Sequence, residues 1–339
     1  MTPRTIDAPQ RLRQFARRSA AVGALIPWTM LLFASTADSA ATELIHRVAF
    51  FAMLTIVPLG LSLVMTNEET RGLNLYRVAV YGQPIAALLA VISFLVPMGL
   101  LSAALAAAWL LLTAIVGLLG LTRLLSRGLY PLPETSVDAG LLYLPVAGVW
   151  LVVYRLGIQP FDYGETIILL TVIHFHFAGF AAPIIAGMVG RTLATSTSGL
   201  GRLFPVIVVA LVASMPLVAA GITFSPWLGL AGALLLTTGL LLLAVLTIVR
   251  VVPMIASTGV QVLLVIGALS SCAAMVLACL YSYSLVAHIV ILTIPAMAKA
   301  HGLLNAFGFA TCSLVGWTEL SRKHAIVTPS QSQAVARPR

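Results

Sequence analysis

The residues best suited to chemistry in this chain are imidazoles set inside apolar sequence. His174 and His176 lie in Thr171-Val172-Ile173-His174-Phe175-His176-Phe177-Ala178-Gly179-Phe180, and His301 opens His301-Gly302-Leu303-Leu304-Asn305. Near neutral pH an imidazole both accepts and returns a proton, which suits general acid–base work. Residues two apart on a helix differ by about 200° of rotation. His174 and His176 therefore point apart, and each is expected to meet its own partner on a neighbouring helix. His301, Asn305 and Gly308 stand at i, i+4 and i+7 and form one polar, small-residue stripe.

Carboxylates accompany these groups. Glu43, His46 and Arg47 share a helix face by their spacing, with Arg47 read as the ion-pair partner of Glu43. Asp162 is placed to cap the helix that follows it, with Glu165 three residues on as in a capping box. Glu165 falls on roughly the face of His176 but three turns above it, so the two cannot touch across a regular helix.

The segments that carry these groups are membrane spans. Of 339 residues 60% are hydrophobic and 9% charged, against about 25% charged in a soluble domain. Mean hydropathy is +1.06. The chain reads as an all-α, polytopic helical membrane bundle of about ten spans, near 19–37, 43–65, 77–97, 100–122, 138–156, 165–189, 203–222, 226–249, 258–281 and 285–318. The last run is too long for one straight span, and Pro295 predicts a break, with the crossing itself from about Lys299 to Trp317. Residues 1–18 form a basic segment, 19–318 the membrane domain and 319–339 a polar tail expected to be disordered. The N-terminal basic-then-apolar pattern is read as a first span rather than a cleaved signal.

Charge sets the orientation. The excess of 19 basic over 10 acidic residues collects in alternate loops: the N-terminal arginines, Arg71 and Arg77, Arg123 and Arg127, Arg191 and Arg202, Arg250, and the tail. The positive-inside rule then predicts a cell-membrane protein with both termini cytoplasmic. It also removes nucleic acid as the reason for the basic balance. Cys272, Cys279 and Cys312 lie in apolar segments and read as packing residues. In this orientation Glu43, His46, Asp162 and Glu165 lie near the outer interface with His174, His176, His301 and Asn305 beneath them. A polar pocket rimmed by Tyr154, Arg155 and Gln159 is the expectation.

The two histidine strings resemble the YndJ-like membrane protein family. The likeness is carried by Leu170-Thr171-Val172-Ile173-His174-Phe175-His176-Phe177-Ala178-Gly179-Phe180 and Ala300-His301-Gly302-Leu303-Leu304-Asn305-Ala306-Phe307-Gly308-Phe309, with Val57-Pro58-Leu59-Gly60-Leu61 and Asp138-Ala139-Gly140-Leu141-Leu142-Tyr143-Leu144-Pro145 also similar. It covers roughly residues 40–318. The resemblance implies a membrane fold and points to the histidine strings; the family is described as uncharacterised or transporter-like, so it implies no particular activity.

Ionisable groups inside a bilayer cost at least ~2.5 kcal/mol each and mark function by default. The preferred reading is an intramembrane acid–base cyclase or isomerase acting on a lipophilic, isoprenoid-like substrate. Asp162 or Glu165 serves as acid, with Glu43 as a further carboxylate. His174 and His176 serve as base or relay, and His301 with Asn305 as orienting groups. Tyr154, Phe175, Phe177, Phe180 and Phe307, with Phe309 beside them, would line the substrate and shield a carbocation. Its partners are that substrate and membrane lipids. The alternative is a proton-coupled transporter of a small or lipophilic solute. No cofactor or metal is expected, since histidines two apart chelate poorly and no thiolate motif supports them.

Overall fold

A computed structural model describes residues 8–26, 40–66, 69, 71–193 and 202–331, with side chains through Arg322. Among these residues there is no strand; ten helices follow one another along the chain. They are α1 (Ala8–Gly23), α2 (Ala40–Val64), α3 (Leu73–Ser93), α4 (Leu100–Arg127), α5 (Leu132–Leu156), α6 (Glu165–Leu193), α7 (Phe204–Phe224), α8 (Pro226–Met254), α9 (Thr258–Val286) and α10 (294–331). The eight from α2 to α9 are long and apolar enough to cross a membrane. In a bilayer each backbone N–H and C=O must be satisfied within the segment, which is why these runs are helical.

Helices that follow one another pack as antiparallel neighbours, most extensively α4 with α5 and α7 with α8. Tight turns make this fold-back. Gly157 takes φ +73° after α5, its N–H donates to Tyr154 O, and Ile158 N–H reaches back to Val153 O. This is the left-handed helix stop that glycine makes without strain. α2 is the central helix: 94% of its most apolar stretch is buried, with α1, α3, α6 and α10 around it. In contrast α7, α8 and α9 leave Val209, Leu234, Leu269 and Val276 exposed, the pattern of helices whose outer face is covered by lipid rather than protein.

The helix ends differ from the sequence expectation at several places. α1 begins at Ala8, so Arg11, Arg13, Arg17 and Arg18 sit on the helix and not on a lead-in. Pro9, Leu12, Ala16, Ala20 and Gly23 form its buried stripe, and Arg13 Nη1 donates to Met65 O at the end of α2. The remainder of the expected first span, residues 27–37, lies outside the described residues. α5 starts at Leu132, so Glu134, which falls between the expected spans 100–122 and 138–156, is helical. The expected break near Pro295 is present: α9 ends at Val286, a connection follows, and Pro295 occupies the first turn of α10, where its missing N–H costs nothing. α10 continues past Trp317 through Gln331, into the stretch expected to be a disordered tail.

Candidate intramembrane histidine site

Three helices widen by a π-turn where they meet. The wide turns are Ala52–Ile56 in α2, Phe175–Ala181 in α6, and Ala298–Gly302 with Leu304–Thr311 in α10. The turns in α2 and α6, and the second in α10, pack against one another. Such turns loosen the backbone ladder and recur at functional sites. Here the freed groups are partly taken up by side chains: Gln83 Nε2 donates to Met53 O at 2.7 Å, and Thr311 Oγ1 to Ala306 O at 2.6 Å.

The histidines diverge as their spacing requires. His176 is fully buried, with Nδ1 at 2.8 Å from Val172 O and Nε2 receiving the Trp109 indole N–H at 3.2 Å. A ring that donates to a carbonyl and accepts from an indole is neutral and has no nitrogen left over. His176 is therefore a satisfied core group and is not positioned as a base. Trp109, on α4, is the partner that sequence reasoning missed; nothing in its apolar context distinguishes it from packing.

His174 faces α10. Its ring stacks on that of His301 with centroids 6.4 Å apart. Nδ1 lies 2.6 Å from Leu170 O, so Nδ1 carries the hydrogen and Nε2 the lone pair. His174 is exposed, and Nε2 has no hydrogen-bond partner among the described residues. His301 is half-buried and held from both sides: Nδ1 donates to Ala274 O at 2.9 Å, and Nε2 accepts from Asn305 Nδ2 at 3.1 Å. Asn305 also reaches His301 O at 3.0 Å. The expected stripe on α10 thus works as one unit, with Asn305 fixing the tautomer and orientation of His301. His174 alone offers an unengaged nitrogen, since both nitrogens of the facing His301 ring are taken, and among the described residues no group of three His, Cys, Asp or Glu could hold a metal ion.

The carboxylates stand elsewhere. Asp162 does not cap α6: it is exposed, in a left-handed turn at φ +58°, and Gly164 occupies the cap position without a side-chain bond. Glu165 is exposed on the first turn, nine residues before His174 and hence about 13 Å above it along the helix. Glu43 pairs with Arg47 as expected. His46 bonds Tyr154 Oη at 3.0 Å, and Arg155 reaches Val96 O at 2.6 Å over the Phe94 ring. Tyr154 is thus buried beside His46, and Gln159 lies beyond the end of α5 and is exposed. The first half of α2 packs on α6 and on the first π-turn of α10, so this cluster and the His174–His301 pair lie on adjoining helices.

The aromatic residues expected to line a substrate do not encircle the imidazoles. Phe175, Phe177 and Phe180 are buried. Phe175 packs with Tyr143 and Met215, and Phe180 lies over Gly60. Phe307 packs on Phe51 at 4.9 Å, and Phe309 is buried as well.

Fold and site together define a polytopic helical membrane protein with a histidine pair between two of its helices. The chain belongs to the YndJ-like protein family, whose model matches residues 47–309, from the second helix through both histidine strings. It is 32% identical over 237 residues to the uncharacterized membrane protein YndJ of Bacillus subtilis (strain 168), an alignment covering 69% of this chain and 41% of that protein. The chain therefore spans about two fifths of that relative's length. No solved structure matches.

Proposed function

We propose that this protein is an integral membrane enzyme that moves a proton on a lipophilic, isoprenoid-like substrate, with His174 as the base. One observation carries the reading: the exposed His174 ring has an Nε2 without a hydrogen-bond partner among the described residues, beside a His301 ring locked by Asn305 and the Ala274 carbonyl. A single imidazole that removes a proton and returns it to a second carbon performs an isomerisation without a separate acid. The C–H bonding pair becomes the new double bond, and the old double bond's pair takes a proton from His174 Nε2 after that nitrogen has exchanged with solvent. Ring closure needs a strong acid at the substrate, and Asp162 lies before α6 and Glu165 on its first turn, away from His174. Isomerisation is accordingly favoured over cyclisation.

We place the protein in the cell membrane with both termini cytoplasmic. The support is the collection of Arg71, Arg123, Arg127, Arg191 and Arg202 at one end of the bundle. A proton-coupled transporter is the second reading, favoured by the three mutually packed π-turns, since wide turns are segments that can shift between registers.

Solvent deuterium separates these readings. Detergent-solubilised protein, incubated in D2O with the apolar lipid extract of its host membrane, should introduce one deuteron into a particular lipid, detected by mass spectrometry. His174→Ala should abolish the incorporation. No incorporation by the wild type, or equal incorporation by the variant, refutes the enzyme. A proton-gradient-dependent solute flux seen only in sealed vesicles would establish the transporter.

A further inference from the structure

A groove leads down to the histidine pair. The first half of α2 packs on α6 and on the first π-turn of α10, whereas α6 ahead of its own π-turn makes no extensive contact with α10 among the described residues. Two walls that share a floor without meeting leave a groove between them. Further along, the π-turn Phe175–Ala181 of α6 packs on Leu304–Thr311 of α10 and closes it. His174 and His301 face each other near that closed end, with ring centroids 6.4 Å apart.

The two walls carry matching ladders. Ile167 and Leu170 precede His174 by seven and four residues on α6, and Ile294 and Met297 precede His301 by the same spacings on α10. Residues so spaced share one helix face, and all four are half-buried. Ile168, Leu169 and Val172, on the other side of α6, are buried. Polar groups stand at the mouth, where Glu165 is exposed on the first turn of α6 and Thr293 caps α10. The groove is therefore polar at its mouth and apolar along its walls. It ends at an imidazole whose Nε2 has no hydrogen-bond partner among the described residues.

We infer that this groove holds the tail of an isoprenoid amphiphile whose ionised head group stays at the mouth, with the third isoprene unit from the head lying against His174. The depth sets the unit. His174 is nine residues after Glu165, about 13 Å along the helix. An extended isoprene unit has four backbone bonds of about 1.5 Å and spans roughly 5 Å. An ionised head group cannot follow its tail into the apolar part without a large cost, so a shorter tail stops above the imidazole. A longer tail leaves sideways between α6 and α10. The inference rests on the isomerase reading for the reacting bond, but the seating of the tail is measured without turnover.

The test is protection of His174 from diethyl pyrocarbonate in the detergent-solubilised full chain, read by peptide mass spectrometry. Farnesyl phosphate, with three units, should slow acylation several-fold; geranyl phosphate, with two, should not. Met297→Trp narrows the groove from a half-buried position, so it should abolish the protection while leaving the melting temperature in place. Equal protection by geranyl phosphate, none by farnesyl phosphate, or protection that survives Met297→Trp each overturns the assignment. In a lipid deuterated by the protein, fragmentation should place the deuteron in the third unit from the head; a deuteron in the first unit, or at the far end of a long chain, overturns it as well. Protection by farnesyl phosphate with no deuteron in any lipid upholds the tail site and refutes the base.

Discussion

The Trp109 indole lies nearly parallel to the His176 imidazole at 5.7 Å between centroids and donates its N–H to Nε2 at 3.2 Å. This contact ties α4 to the π-turn of α6 and decides what His176 does. Both residues are fully buried. Trp109→Phe keeps the aromatic packing but strips the acceptor nitrogen of its donor, which costs about 1–3 kcal/mol when the group has no other partner. The melting temperature of purified Trp109→Phe should fall accordingly, while deuterium incorporation by the folded fraction should persist. Loss of incorporation without loss of stability would move His176 into the reacting site.

His174 should show the opposite balance. Its one side-chain hydrogen bond among the described residues is local, to Leu170 O, and its ring is exposed. His174→Ala should change stability by no more than about 0.5 kcal/mol, as for an exposed position. Diethyl pyrocarbonate acylates imidazole nitrogens that carry a free lone pair. His174 should be modified ahead of His176 and His301, whose Nε2 atoms accept from Trp109 and Asn305. Peptide mass spectrometry over a time course measures the order, and earlier modification of His176 would contradict the buried arrangement.

The histidine pair was legible in the sequence because polar groups inside apolar runs are expensive and stand out. The 200° offset correctly separated His174 from His176, and the i, i+4 spacing correctly joined His301 to Asn305. Trp109 was illegible, since an aromatic residue in a span is ordinary. The π-turns were also illegible, because they arise from packing between α2, α6 and α10 and leave no mark in local propensity. Arg123, Arg127 and Arg191 were read only as topology signals. Charge pattern locates a loop but does not say which arginines turn inward to meet carboxylates. The Asp162 cap failed because the backbone is left-handed at Phe161 and Asp162 and the helix starts only after Gly164.

Gly23 tests how α1 is held. A Cβ there would lie 2.2 Å from Leu54 O in the middle of α2, a backbone atom that cannot swing aside. Gly23→Ala should therefore separate the two helices and cost at least the 1–3 kcal/mol typical of overpacking. Gly259→Ala, at the start of α9 with nothing within 4 Å of the added carbon, is the matched control and should be neutral or mildly stabilising through helix propensity. Faster proteolysis of the N-terminal segment in Gly23→Ala alone would confirm the docking. Equal behaviour of the two variants would refute it.

At the basic end, a charge network replaces hydrophobic packing. Arg123 Nε donates to Asp138 Oδ1 at 2.6 Å with neither side chain exposed. Arg123 also pairs with Glu69 and Glu134, Arg127 with Asp138, and Arg191 with Glu134. α4, α5, α6 and the end of α2 are thereby held in one register. Removing one member of a buried pair strands its partner's charge, at a cost of about 3–5 kcal/mol. Asp138→Asn should show that loss. Arg127→Gln, at a partly exposed guanidinium, should cost much less, closer to the ~1 kcal/mol upper range of exposed pairs. Because Glu134 bridges Arg123 and Arg191, Glu134→Gln and Arg191→Gln should be strongly non-additive, as expected of residues in one network. A double-mutant cycle on chemical or thermal unfolding in detergent measures this. Additive losses would mean that Arg191 holds the α2 carbonyls independently and that the network is two separate contacts.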